Sequence, residues 1–354
     1  MKRTNTTRLV FLLVAVLIAS LVLPGCGPKS DPAGSNTPAK TITITDQMGR
    51  TVEVPAQPEK ISALHHFGGK IVFALGQQDQ AVDQVLYGME GEAMAKVNPK
   101  FAALPLFSKG KGFNVEGLAA QKPQVAFVYT SFEKDQMQQL ENAGIKVVAI
   151  QGETLEESYE AVRLMAKVLG CEERGEAYIK DCQKLITMVS ERVSKVPEEQ
   201  RPQVMFCGPK DIFTVASGEM LQDTMIEIAG GKNVAKKVKG FWASVSPEQV
   251  VAWQPDVIIL GSSLDMYTVE DVLKNSSLKS VKAVQNQQVY TFPSNIGWWD
   301  YPAPHCVLGI VYLAKTLYPE EFKDVDVMAV ADDFYQKYLG YSFTDMGGKL
   351  PQAR

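Results

Sequence analysis

Histidine is scarce in this 354-residue chain, and two of its three histidines are neighbours. His65-His66 leads into Phe67-Gly68-Gly69, which reads as a glycine-bounded loop after a strand. Imidazole both donates and accepts hydrogen bonds near neutral pH, and it is a common ligand of transition metals. Two neighbours in an extended loop point apart, so one of the two is expected to face a ligand. A second pair, Trp298-Trp299, follows Gly297 and precedes Asp300. Indole offers a broad apolar face with a single donor, so a pair of them in a polar loop suits a flat or macrocyclic ligand. Asp300 either accepts from that ligand or caps the helix expected over 302–317. If histidine coordinates a metal, affinity should fall as pH drops through about 6.5.

Signatures of catalysis are missing. Gly231-Lys232 is followed by Asn233 and has no glycine five positions earlier, so it is no phosphate loop. There is no GxGxxG after a strand, no GxSxG and no HExxH. The expectation is a binding protein and not an enzyme, with no cofactor of its own.

The elements that would position these pairs come in two copies. Glu116 to Val125 (EGLAAQKPQV) returns as Glu248 to Val257 (EQVVAWQPDV), with Glu, an aliphatic residue, Ala, Pro and Val in register. Each copy reads as a short helix, a proline-broken loop and a buried strand. Apolar strands over 60–64, 125–129 and 147–150, and again over 203–207, 257–260 and 289–292, alternate with helical segments, which predicts parallel sheets covered by helices. Between the two sets, Tyr178, Ile179, Cys182, Leu185, Ile186, Val189, Val193 and Val196 recur at steps of three and four, predicting one helix over 172–196. The fold expected is α/β: two Rossmann-like lobes joined by a single long helix, with a ligand cleft between them. The divisions are 42–170 for the first lobe, 171–200 for the bridge and 201–354 for the second lobe.

In open α/β sheets ligands meet the loops beyond the carboxyl ends of strands. Besides His65, His66, Trp298 and Trp299, that rule nominates Tyr129, Lys210 and Ser262, with Trp242 at the rim. Tyr129 is suited to stacking, to ligating ferric iron or to core packing. Lys210 is suited to pairing with an anion, or to solvent. A Cys207–Cys306 disulfide is open but nothing forces it, and small buried residues describe the cysteines as well.

At the N-terminus, Lys2, Arg3 and Arg8 precede a 15-residue apolar run, Leu9 to Leu23, whose one polar member is Ser20. It is shorter than the ~18 residues of a membrane span, so 1–25 reads as a signal peptide. The run stops at Leu23-Pro-Gly-Cys26, which looks like a bacterial lipobox with Cys26 as the lipidated residue. Residues 26–41, rich in Pro, Gly, Ser and Asn, form a flexible tether. Without the three leader cations the chain carries a net charge of about −7. That argues against a nucleic-acid partner.

Several segments together carry a family likeness: ITDQMGRTVEVP (44–55), PEKIS (58–62), FALG (73–76), IEIAGGKNV (226–234), VSPEQVVAWQPDVIIL (245–260) and KAVQNQQVYTFPS (282–294). In this order they resemble the substrate-binding lipoproteins of ABC importers for ferric siderophores, haem or cobalamin. The resemblance implies capture of an iron complex, a ferric siderophore before haem or cobalamin. It also implies delivery to a permease and its ATPase, attachment outside the cell membrane through a lipid, and work as a monomer. Family members dock on the permease through a glutamate on each lobe. Here those positions hold Lys70 and Thr224, with Asp223, Glu219 and Glu227 near the second.

Overall fold

The protein is described here by a computed structural model covering residues 40–109, 112–264, 266–293 and 295–351. The expected signal peptide, Cys26 and nearly all of the tether lie outside the described residues.

The chain enters through an antiparallel hairpin, β1 (Thr41–Thr45) and β2 (Thr51–Pro55). Its turn is held by Asp46, whose carboxylate accepts from the Met48, Arg50 and Ala149 amides and thereby fastens the hairpin to the first lobe. The first lobe follows as β3 (Ile61–Ala63), α1 (His66–Ala74), α2 (Gly88–Val97), α3 (Val115–Gln121), β4 (Val125–Tyr129), α4 (Lys134–Asn142), β5 (Lys146–Ile150) and α5 (Leu155–Leu169). Its sheet is parallel, in the order β3-β4-β5. Val125 to Val128 are all buried, the apolar run expected of a strand covered on both faces.

α6 (Glu172–Val193) then crosses to the second lobe. Its 22 residues make a rod of roughly 33 Å. The helix stops three residues before the Val196 that periodicity included, because the chain must turn ahead of Pro197. The second lobe contains β6 (Gln203–Cys207), β7 (Thr214–Ala216), α7 (Leu221–Ile228), β8 (Lys232–Asn233), β9 (Trp242–Ser244), α8 (Pro247–Trp253), β10 (Val257–Leu260), β11 (Val289–Thr291), α9 (Val307–Leu317) and α10 (Val327–Leu339). Its sheet runs β9-β7-β6-β10-β11, with β8 also paired to β6. β6, β8, β10 and β11 are parallel; β7 pairs antiparallel with both β6 and β9.

The sequence repeat is also a structural repeat. α3 and α8 are seven residues each, are capped by the side chains of Asn114 and Ser246, and bury Leu118 and Val250. Both end on a left-handed residue that is not glycine, Lys122 at φ 57° and Gln254 at φ 48°. One apolar cluster runs from Ile44 through the buried face of α6 to Met346, so the lobes share a continuous core. Among the described residues no helix is long and apolar enough to cross a membrane, and Cys171, Cys182, Cys207 and Cys306 are free thiols.

Candidate ligand cleft between the lobes

The histidine pair does not sit in an extended loop. His65 is the N-cap of α1 and His66 is its first residue. His65 has extended backbone angles, and its Nδ1 accepts from the Phe67 amide at 3.3 Å. The two glycines that suggested a loop lie inside the helix. A Cβ on Gly69 would stand 1.9 Å from the Val85 carbonyl oxygen, so glycine is what lets α1 press against the 81–86 segment. The expectation that the rings point apart also fails. Because the chain turns into a helix between them, their centroids lie 4.2 Å apart.

The pair sits in the middle of a row of rings. Tyr129 lies 4.4 Å from His65, Tyr301 lies 4.8 Å from His66, and Trp298 lies 5.8 Å from Tyr301. The row starts at the end of β4 in the first lobe and finishes in the loop before α9 in the second, so it crosses the cleft. Tyr129 Oη donates to Glu153 at 2.5 Å and accepts from the Gly152 amide.

Hydrogen bonding assigns the His65 proton. His65 Nδ1 accepts, so a neutral His65 carries its proton on Nε2. Tyr87 Oη accepts the His66 backbone N–H at 3.2 Å, and its hydroxyl faces His66 Nδ1 at 3.0 Å. Tyr87 Oη can donate to that nitrogen or accept from it; with Tyr87 donating, His66 is protonated on Nε2 as His65 is. Both rings are neutral at physiological pH. Burial, with Lys70 nearby, lowers His65 to about 4. Burial, then His65 and Lys70, lowers His66 to about 2. The pair is thus neutral, with the His65 Nε2–H free to donate, and the loss of affinity expected near pH 6.5 moves to far lower pH.

Two hollows flank Trp298 and Tyr301. One, of about 280 Å³, is bounded by His66, Lys70, Tyr87, Glu90, Trp298 and Tyr301. The other, of about 300 Å³, is bounded by Glu153, Gln222, Phe241, Trp242, Trp298 and Asp300. Trp298 Nε1–H is buried without a hydrogen-bond partner, as is Gln222 Oε1. A larger hollow of about 870 Å³ lies on the second lobe beside Arg201, Lys232 and Lys236. Its charges are mostly paired within it, Lys232 with Glu198 at 3.5 Å and Lys236 with Glu227, and it holds none of the ring residues.

Of the residues nominated from sequence, His65, His66, Tyr129 and Trp298 come together, and Trp242 lines the second hollow, seated on Gly208 where a Cβ would lie 2.0 Å from its ring. Three do not belong. Trp299 is 0% exposed, donates from Nε1 to Tyr335 Oη at 3.2 Å and packs on Phe343; its neighbour takes the cleft side, so it takes the core. Ser262 is buried, its hydroxyl spent on the Pro293 carbonyl and its amide on Asp300. Lys210 is exposed and lines neither hollow, since the turn after β6 carries it into solvent. Asp300 caps no helix; its Oδ2 accepts from the Ser262 amide at 2.8 Å. Lys70, placed by resemblance at a docking position, is instead buried at the floor of the smaller hollow. Tyr87, Glu90, Glu153 and Tyr301 were missed. Tyr301 alone had a signal, standing two residues after Trp299.

The family model for periplasmic binding proteins matches residues 61–296. The chain belongs to that family. The molybdate-binding protein MolA of Haemophilus influenzae is 28% identical over 326 residues, covering 85% of this chain and 91% of the relative. The Fe(3+)-citrate-binding protein YfmC of Bacillus subtilis is 21% identical, covering 81% and 90%. The solved structure of the Haemophilus influenzae MolA bound to molybdate matches with a TM-score of 0.73 at 25% identity, covering 88% of this chain and 100% of that one. The family consists of substrate-binding proteins of ABC importers, which work outside the cytoplasm beside a permease and an ATPase, and the two-lobed α/β fold is the family's fold.

Proposed function

We propose that this protein captures a compact, metal-centred anion with an oxygen rim, a small iron chelate or a metal oxyanion, and hands it to an ABC permease. The observation that carries the reading is the pair of neutral imidazoles, His65 with Nδ1 taken by the Phe67 amide and Nε2–H left to donate, and His66 lining the smaller hollow with Tyr87 on its Nδ1. Donors suit oxygen acceptors at the edge of a ligand; a bare metal would need the lone pairs instead. His65, His66 and Trp298 form the binding edge, and Tyr129 and Trp242 flank it. Hollows of about 280 and 300 Å³ are at the small end of ordinary ligand sites. That favours a compact iron complex over the bulky siderophores, haem and cobalamin that the sequence resemblance suggested. Similarity to a molybdate-binding and an Fe(3+)-citrate-binding protein supports the same class.

In this reading residues 1–25 are removed, Cys26 carries a lipid and 26–41 tether the body to the outer face of the membrane. The lobes divide at 42–170 and 201–354 around the bridge at 171–200, and the monomer is the working unit. The protein performs no chemistry on its ligand.

The test is a titration of the soluble body, followed by calorimetry and tryptophan fluorescence, with molybdate, tungstate, ferric citrate, a ferric hydroxamate, haemin and cobalamin. Binding of the compact anions and not of the macrocycles is expected. Tight binding of haemin or cobalamin, with none of the compact anions bound, overturns the reading.

A further inference from the structure

The smaller hollow has a cation in its floor. Lys70, on α1, is 7% exposed, and its Nζ stands 3.2 Å from Glu90 Oε2 on α2. The same Nζ stands 3.2 Å from His305 Nε2, in the turn that leads into α9 of the other lobe. Buried ammonium groups need a counter-charge, and Glu90 supplies it from the same lobe. An ammonium has no lone pair, so His305 Nε2 accepts and its proton is on Nδ1. Three N–H donors radiate from an ammonium, and these contacts use two. Both Lys70 and Glu90 line the hollow that His66, Trp298 and Tyr301 enclose.

The geometry points to Lys70 as the residue that selects the ligand's charge: its third N–H binds an oxygen of an anionic ligand while Glu90 and His305 fix the ammonium in place. The assignment rests on the ligand class proposed above. Glu90 then has a second role. Its carboxylate holds Lys70 but also repels an incoming anion, so it limits how strongly the hollow attracts negative charge. A buried ion pair has a special diagnostic value, because replacing both partners by neutral groups of similar shape keeps the fold, whereas removing one leaves a charge uncompensated.

The experiment compares wild type, K70M/E90Q, K70M and E90Q, titrated with molybdate and with ferric citrate and checked for folding by circular dichroism and melting temperature. K70M/E90Q should melt near wild type and bind the anion roughly ten- to a hundredfold more weakly. E90Q should bind more tightly than wild type, a change of sign that a purely structural pair does not produce. Wild-type affinity in K70M/E90Q overturns the assignment, because Lys70 would then serve Glu90 alone. So does E90Q weakening binding as K70M does. If wild type binds neither anion but takes up cobalamin, the ligand class itself is wrong and the role of Lys70 falls with it.

Discussion

The rings of His66 and Tyr301 meet at 4.8 Å although 235 residues of chain separate them, one from the start of the first lobe's first helix and the other from the second lobe's loop before α9. Through this contact the imidazole pair of one lobe and the indole of the other form one surface.

Neutral histidines give a specific pH response. Unfolded imidazole protonates near 6.5, whereas His65 and His66 stay neutral down to about 4 and about 2. Between those limits the unfolded chain binds more protons, so stability is full above about 6.5 and falls as pH drops. The slope is at most ~1.4 kcal/mol per pH unit for each histidine. Melting temperature should therefore fall from pH 7 to pH 5 more steeply in wild type than in H65N/H66N. Ligand affinity should be flat from pH 6 to 8. A break in affinity near 6.5 contradicts the assignment.

Removing the His66 ring should cost about 1–2 kcal/mol of binding, roughly five- to thirtyfold in Kd. H66N, which keeps an N–H donor, should recover part of it. Titration of H66A and H66N side by side checks this, and equal loss in both would speak against hydrogen bonding as the role.

The two tryptophans should behave oppositely. W298A should weaken ligand binding with little loss of stability. W299A should cost about 3–5 kcal/mol of stability, since it empties a fully enclosed site and leaves Tyr335 without its donor. Chemical denaturation and ligand titration on both variants separate the roles; a stable W299A that has lost binding would reverse them.

Much of the fold could be read from the sequence because parallel strands buried on both faces are continuous apolar runs. Val125 to Tyr129, Gln203 to Cys207 and Val257 to Leu260 are strands over the predicted residues. The bridge was visible through its three-four periodicity. The site was less visible. His65 and His66 drew notice through rarity, yet their two glycines suggested a loop because Gly69's contact with Val85 is tertiary. Adjacent tryptophans carry no sign of which one faces the cleft. Lys70, Glu90 and His305 come from three elements and meet only through packing, so no local pattern connects them.

Lobe closure should be small. The lobes share one apolar core along α6, and a continuous helix of roughly 33 Å bends far less readily than a loop hinge. X-ray scattering with and without molybdate or ferric citrate should give nearly the same radius of gyration, and a large ligand-driven decrease would exclude the rigid bridge.

Anchoring is separable from binding. C26A expressed in a bacterial host should accumulate unprocessed or misplaced, and the body from residue 40 onward should bind ligand as the full chain does. Normal lipid labelling of C26A would remove Cys26 from the account.

The most direct test of the cleft is nitrogen-15 NMR of histidine-labelled protein at pH 7, where three residues give a simple spectrum. The account predicts two rings protonated on Nε2, His65 and His66, and one protonated on Nδ1, His305. Adding molybdate or ferric citrate should move the Nε2 signals of His65 or His66. Imidazolium signals at pH 7, or an unchanged His65–His66 pair at ligand saturation, would contradict it.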